Sequence, residues 1–488
     1  MDEKPKNLWE EADTSKYQAY VTTSTINPTI ESENVDEKIV YIEDLEKRRQ
    51  AYGICGECNE PGTGFKWCQP CNAKRFKDNF KNWTSGNKDI DEFIQQSQLN
   101  AVHYTNYLEW IPFEKFQNVT YIAEGGFGKV YSAEWPEGNI EYWDIENQKW
   151  YRYSYKYALK SLNTFSDICT DFINEIKSHL QIYLSNIVYC YGITQDPNNK
   201  EYLMVLYYCE FGNLRNYLNK SKNYINYKSK IDYLQHIARG LLNIHNAKKV
   251  HRDFHSGNIL VNNSYYSFIS DLGMCQPASI KQSVKEEGIH GVLPYMAPEV
   301  LRGYQYTKAA DIYSFGIIMN EFLSEEIPFN DIPHDEFLAI KICKGLRPTI
   351  SKDVPKLLKD LIIKCWDAEI KNRPTTKEVY QILNEWNDGA NSQNSEIYFQ
   401  IKECDKIGEE KFKNRLNEHK CKKSFQTHPQ AFYTSRLLNF KNLPKPVNFS
   451  DLSSFQISSA NPISECLDVQ LSELELNEIC QDSEHNIE

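Results

Sequence analysis

The 488-residue chain has no long apolar run. Its longest, around Phe315–Met319, falls far short of the roughly 20 apolar residues that a membrane-crossing helix needs. It also lacks an excess of positive charge. With 55 Lys and Arg against 67 Asp and Glu, the formal net charge of −12 argues against a chain built to coat nucleic acid or an anionic membrane. The opening MDEKPKNLWEEADT contains no apolar core, so no secretory leader is expected. No internal repeat is visible, and nothing points to a repeat architecture.

Fourteen cysteines are present, but they are not spaced as a disulfide framework. Four form two close pairs and the rest are scattered singly through core-like segments, a pattern that predicts reduced thiols and one metal site in the cytoplasm or nucleus. The composition, 41% hydrophobic and 25% charged, suits a globular core with polar extensions, and the length allows two or three units.

The chain divides by pattern. Residues 1–45 are acidic and aperiodic, which predicts disorder. Residues 46–75 carry the cysteine pairs. In 76–115 the residues Phe76, Phe80 and Trp83, then Ile90, Phe93 and Ile94, recur at helical spacing around Ser85-Gly86-Asn87, so one or two amphipathic helices are expected there. Compact organisation begins near Phe116 and ends near Trp386. Strand patterns at Val119–Ile122, Val130–Glu134, Tyr157–Ser161, Val188–Thr194 and Tyr202–Leu206 enclose one helix, about Asp171–Leu184. After Gly212 the pattern turns helical. A β-rich small lobe followed by a helical large lobe gives an α+β fold with a cleft at the join. Residues 387–488, rich in Asn, Ser, Glu and Lys, are expected to be largely disordered, with short sticky pieces such as Phe432–Phe440. A Trp- and Tyr-rich insert between Trp135 and Lys156 predicts a long hairpin, which reads either as loop decoration or as a docking surface.

The chemistry is concentrated between these lobes. Ala123-Glu-Gly125-Gly126-Phe127-Gly128-Lys-Val130 joins two strands, and glycines there let backbone amides approach phosphate oxygens. Lys160, on the strand Tyr157–Ser161, can bind phosphates if a carboxylate holds it; Glu175 on the next helix is the candidate, with Asp171 one turn earlier as second choice. In His251-Arg252-Asp253-Phe254-His255-Ser256-Gly257-Asn258, Asp253 can orient an acceptor hydroxyl and take its proton, and Asn258 can help hold a divalent metal. Asp271-Leu272-Gly273 supplies a second metal ligand, and Ala297-Pro298-Glu299 closes the segment.

In this order the motifs resemble those of eukaryotic protein kinases, over about 270 of the 488 residues. The resemblance implies a bilobal kinase fold that binds ATP and Mg²⁺ and phosphorylates protein. Lys160, Glu175, Asp253, Asn258 and Asp271 would form the catalytic set, with Asn258 and Asp271 as the Mg²⁺ ligands. Ala123, Gly125, Gly126, Phe127, Gly128, Val130, Ala158, Lys160, Leu206 and Leu260 would line the nucleotide site, and Tyr207, Tyr208 and Cys209 would form the hinge against adenine. Asp311 would brace the catalytic loop, and Arg373 would pair with Glu299.

Four positions depart from the pattern: Ala123 replaces a glycine, Leu272 a phenylalanine, Val292 a threonine, and His255 a lysine. HRDFHSGN and Tyr295-Met296-Ala297-Pro298-Glu299 are similar to tyrosine-kinase-like kinases, which mostly modify Ser or Thr. A tyrosine or dual-specificity enzyme, and an ATP-binding pseudokinase, are the alternatives. Arg252, with Ser279 and Ser283 in the segment that follows, suggests control by phosphorylation.

Cys55-Gly-Glu-Cys58 and Cys68-Gln-Pro-Cys71, nine residues apart, have the spacing of a four-thiolate structural zinc site, in a module whose role would be adaptor-like. Lys74, Arg75 and Lys77 read as the solvated start of a helix rather than a nucleic-acid contact. Cys404, His419, Cys421 and His428 are too irregularly spaced for a metal site and read as unstructured tail. The whole layout, including HPQAFYTSRLLNFKNLPKP near the end, resembles an expanded family of fungal tyrosine-kinase-like kinases.

Overall fold

A computed structural model describes residues 22–23, 40–125, 128–161, 170–182, 185–221, 223–262, 266–278, 288–419 and 427–448. Gly126, Phe127, Ser279, Ser283 and Cys421 lie outside the described residues.

Strand β1 (Thr22–Thr23) pairs in parallel with β2 (Val40–Tyr41). Helix α1 (Leu45–Tyr52) follows, capped by the Asp44 carboxylate, which accepts from Lys47 N at 2.9 Å. Regular structure thus begins earlier than the boundary expected at residue 45, because Val40 finds its own small apolar cluster with Ala51 and Tyr52. From α1, the Arg48 guanidinium donates to the carbonyls of Ile42, Pro61 and Gly62 at 2.8, 2.5 and 2.9 Å, clamping the cysteine loops to the helix.

Helix α2 (Gln69–Asn79) starts on Cys68, and α3 (Lys88–Asn100) is capped by Asn87, whose side chain accepts from Asp89 N and Ile90 N. The small lobe then forms from β3 (Glu109–Trp110), β4 (Gln117–Gly125), β5 (Gly128–Glu134), β6 (Asn139–Asp144), β7 (Lys149–Tyr153), β8 (Lys156–Ser161), helix α4 (Thr170–Gln181), β9 (Cys190–Gln195) and β10 (Tyr202–Tyr207). Six of these strands make one sheet in the order β3-β9-β10-β8-β5-β4, while β6 and β7 stand apart as the expected hairpin. Its sharp entry is Gly138, at φ +71°, where a Cβ would lie 2.1 Å from the Tyr153 carbonyl oxygen.

That hairpin is a docking surface for the chain's own cysteine module. Trp150 stacks on Phe76 and Trp67 at centroid distances of 5.0 and 6.1 Å, and Arg75 lies 4.2 Å over the Trp143 ring while also pairing with Glu57. Tyr107 donates to the Ile140 carbonyl at 3.1 Å, and Arg152 pairs with Glu109 at 2.6 Å. Below it, Ile90, Ile94 and Leu108 form one buried cluster with Phe172 and Ile176 of α4. The expected amphipathic linker therefore packs into the same buried cluster as α4 and braces it.

The large lobe contains α5 (Leu214–Lys220), α6 (Tyr227–Asn246), the short strands β11 (Lys249–Val250), β12 (Ile259–Val261), β13 (Ser267–Ile269), β14 (Gln276–Pro277) and β15 (Ile289–Gly291), then α7 (Pro298–Leu301), α8 (Lys308–Ser324), α9 (Glu336–Cys343), α10 (Lys356–Cys365) and α11 (Thr376–Gly389). Its centre is α8, apolar almost all round and buried from Ala310 to Ser324. Helix α11 opens with a capping box between Thr375 and Glu378 and runs past residue 386 to Gly389.

The expectation of a largely disordered 387–488 does not hold for its first part. Helix α12 (Glu396–His419) packs Ile397 and Ile401 into the large-lobe core, and Asp405 receives hydrogen bonds from Tyr224 Oη and Tyr227 N, each at 2.9 Å. Cys404 lies on this helix against the core, and His428 N donates to the Asn330 carbonyl, so neither belongs to an unstructured tail. Residues 427–448 then run across the large lobe as an extended strap containing β16 (Arg436–Leu438), which pairs with β15. Among the described residues, no helix is long and apolar enough to cross a membrane.

Candidate active site

Lys160 reaches the cleft because β8 lies between β5 and β10, with Val130 and Met204 as its cross-strand partners. Its ammonium sits 2.8 Å from Glu175 Oε1 and 3.1 Å from Asp271 Oδ1. Asp171 is on the exposed side of α4, so Glu175 is the holding carboxylate, as its spacing predicts. Burial alone would lower the Lys160 pKa, but Asp271 and Glu175 outweigh it and hold the group above its ordinary value. Burial raises the Glu175 pKa, offset in part by Lys160.

The catalytic loop is pinned from below by Asp311, in the first turn of α8. Its carboxylate accepts from His251 N at 2.8 Å and Arg252 N at 3.1 Å, and faces His245 Nε2 at 2.9 Å. This holds Arg252 at φ +71°, costly for a side chain of that size, and so aims Asp253 into the cleft. Asp253 Oδ2 lies 3.4 Å from Asn258 Nδ2 and 3.5 Å from His255 Nε2, while Oδ1 is buried and has no hydrogen-bond partner. Burial works to raise the Asp253 pKa; the charge and hydrogen bond of His255, with His251 and Ser435, overcome it and hold the carboxyl below its ordinary value. His255, read from the sequence as a departure, thus supports the ionised carboxylate.

Asn258 donates to the Asp253 carbonyl through Nδ2 at 2.9 Å, which leaves its Oδ1 as an acceptor. Asp271, at φ +59°, keeps a buried Oδ1 that makes an ion pair with Lys160 but no aligned hydrogen bond. Two oxygen donors with unfilled capacity match the ligand preference of Mg²⁺. Leu272 is fully buried and packs in the large-lobe core. Val130, Ala158 and Leu260 are half-buried, Leu206 is buried, and Ala158, Leu206, Tyr207, Cys209 and Leu260 share one apolar cluster with α4. Ala123 pairs with Val130 and Gly125 with Gly128, so the β4–β5 hairpin brings the loop ends together. Tyr208 carries Lys156 over its ring at 4.8 Å. Arg373 and Glu299 form the expected bidentate pair at 2.6 and 2.8 Å.

The profile of the protein tyrosine and serine/threonine kinase family matches residues 116–383. The chain belongs to that family. Among curated relatives, the kinase domain is similar to "Serine/threonine-protein kinase VIK" of Arabidopsis thaliana, 30% identical over 277 residues, covering 55% of this chain and 59% of the relative. It is also similar to "Dual specificity protein kinase shkA" of Dictyostelium discoideum, 29% identical over 269 residues, with 54% and 48% of the two chains covered. A third relative is the "Putative serine/threonine-protein kinase/receptor R831" of Acanthamoeba polyphaga mimivirus, 30% identical over 298 residues, covering 60% of this chain and 17% of the relative. The chain thus spans less than two thirds of each of these relatives.

Outside the kinase domain, Cys55, Cys58, Cys68 and Cys71 bring their sulfurs within 4.8 Å of one another. The Cys55–Cys71 and Cys58–Cys68 sulfurs are 3.9 and 3.6 Å apart, close to the roughly 3.8 Å that four bonds of about 2.3 Å to one tetrahedral zinc would give. Hydrogen bonds from Cys68 and Cys71 push the Cys55 thiol far down, and the contact with Cys55 pushes those two up. Such a donor set needs a cation before all four thiols can ionise.

Sequence reasoning missed the strap. Its Ser435 hydroxyl, buried and without a hydrogen bond of ordinary geometry, faces Asp253. The local signal, a Tyr-Thr-Ser-Arg run between apolar residues, does not by itself point to a cleft.

Proposed function

We propose that the protein transfers the γ-phosphoryl group of ATP to Ser or Thr hydroxyls of proteins, as a tyrosine-kinase-like enzyme. The observation that carries this reading is the Lys160–Glu175 ion pair at 2.8 Å, with Asp271 and the ionised Asp253 facing the same cleft. Lys160 would hold the α- and β-phosphates, and the backbone of the Ala123–Gly128 loop would cover them. Leu206, Ala158, Val130 and Leu260 would enclose the adenine, with Tyr207, Tyr208 and Cys209 as the hinge. Mg²⁺, held by Asn258 and Asp271, would neutralise charge on the transferring group. Asp253 would orient the acceptor hydroxyl through Oδ1 and take its proton, while His255 and Asn258 fix Oδ2. The printed names of the relatives favour Ser/Thr acceptors.

The test is transfer from MgATP to a generic protein substrate, followed by phosphoamino-acid analysis. Asp253→Asn is expected to lower transfer by about 10²–10⁴-fold. Nucleotide binding with no transfer in the wild type would instead support a pseudokinase, and phosphotyrosine among the products a dual-specificity enzyme.

We also propose structural zinc on the four cysteines. Metal analysis of the purified chain is expected to give about one equivalent; under about half would reject the site. All ten described cysteines are free, which supports a reducing compartment, cytoplasm or nucleus. An adaptor or regulatory partner of the module would have to use its outer loop, where Phe65 is 48% exposed, because its aromatic face is against the hairpin.

A further inference from the structure

We propose that residues 427–448 occupy the protein-substrate site of the kinase domain and that Ser435 is an intramolecular phosphoacceptor. This rests on the kinase reading above. The strap enters the groove as an added strand: Ile289, His290 and Gly291 of β15 pair antiparallel with Leu438, Leu437 and Arg436. Backbone pairing of this kind reads position rather than side chain, and it sets the register of whatever precedes Arg436. What precedes it is Ser435. The pairing depends on a close approach at Gly288, φ +81°, where a Cβ would lie 2.8 Å from the Leu438 carbonyl oxygen.

The flanking contacts hold that register. Tyr433 lies beneath the Arg215 guanidinium at 4.2 Å and donates to the Pro328 carbonyl at 2.8 Å. His334 N donates to the Gln430 carbonyl at 2.9 Å, and the Arg436 guanidinium donates to the His334 carbonyl. The hydroxyl of Tyr433 is therefore engaged and Thr434 points to solvent, whereas Ser435 Oγ is buried with no hydrogen bond completed. Asp253 Oδ1, the oxygen left open by His255 and Asn258, is in the same condition. Ser435 Oγ contacts the Asp253 carboxylate, and a hydroxyl beside a carboxylate that keeps one oxygen open is placed as acceptor beside base.

The step is phosphoryl transfer. A lone pair on Ser435 Oγ attacks the γ-phosphorus of ATP; the Oγ–P bond forms, the bond from that phosphorus to the β,γ-bridging oxygen breaks, and ADP leaves with that electron pair. The hydroxyl proton passes to Asp253. Before transfer the strap denies the groove to other proteins. Afterwards a dianionic phosphate stands beside the Asp253 carboxylate, and like-charge repulsion drives the strap out. The arrangement is a self-limited block that the enzyme removes once.

The full-length protein, incubated with MgATP and a generic protein substrate over a wide dilution series, provides the test through phosphopeptide mapping of both. Ser435 is expected to be labelled at a rate independent of protein concentration. Substrate phosphorylation should follow after a lag. Ser435→Ala should lose the strap label and phosphorylate the added substrate several-fold more slowly. Tyr433→Ala, which loosens the strap without touching the acceptor, should remove the lag. Substrate labelled with Ser435 unmodified would overturn the proposal and leave the kinase reading intact. Labelling of Ser435 that scales with concentration would also overturn it. Transfer to neither would overturn both.

Discussion

Both flanks of the kinase domain fold back on it, but by different physics. The N-terminal module buries aromatic rings, Trp67, Phe76 and Tyr107 against Trp150, around a loop clamped by Arg48 and four convergent thiols. The C-terminal strap makes short backbone pairings and a few side-chain insertions, with Leu438 and Leu443 its buried anchors. Ring burial, with the zinc proposed on the four thiols, is hard to undo; three residues of strand pairing are not. The difference separates a fixed brace on α4, which carries Glu175, from a removable occupant of the groove before Asp253.

The comparison breaks most sharply at the module. Cys68→Ser should cost most of a metal-binding free energy on the order of 10 kcal/mol, and limited proteolysis should then cut within residues 53–72 while residues 116–389 remain protected. An undisturbed protease pattern would mean that the rings alone hold the module. On the other flank, Leu438→Ala removes a buried side chain and should weaken strap docking by about 2–4 kcal/mol. Cleavage near residues 427–448 should rise strongly with little change in the melting temperature of the domain; an equal fall in both would make the strap part of the global fold. A more gradual effect, spread over pH, concerns α4 itself. His179, buried beside Lys160 and bonded to the Val188 carbonyl at 2.9 Å, has its pKa pushed down to about 4, chiefly by burial. In the unfolded chain it takes up a proton near pH 6.5 while the folded form does not. Stability is therefore full above pH 6.5 and falls by about 1.4 kcal/mol per unit between 6.5 and 4. His179→Gln should flatten that limb of a melting-temperature profile.

The arrangement of the candidate site was legible from sequence because phosphate chemistry asks for certain residue types at certain spacings: Lys160 pairs with Glu175 and Asp271, and Asp253 lies beside Asn258. Asp311 and the Arg373–Glu299 pair followed from the same resemblance. The cysteine cluster was legible from two CxxC steps, and the hairpin from its aromatic density. What it docks was not, since ring stacking between residues 67 and 150 leaves no local pattern. The strap was hidden for a related reason. Residues 427–448 have neither helical nor alternating periodicity, and many of their hydrogen bonds go to groups about 80 or more residues away, such as His334 and Pro328. Helix α12 was obscured by its charge, because its apolar positions are few.

The hairpin β6–β7 leaves the sheet at Glu134 and rejoins it at Lys156, and these two residues are directly paired across β5 and β8. The ends of the insertion would meet whether or not it were present, so it adds little closure entropy and imposes no distortion on the strand that carries Lys160. The receiving surface for the module is in effect a graft. Its rings can be lengthened, repacked or exchanged for those of another accessory unit while Val130 and Lys160, at the far ends of the same two strands, keep their places.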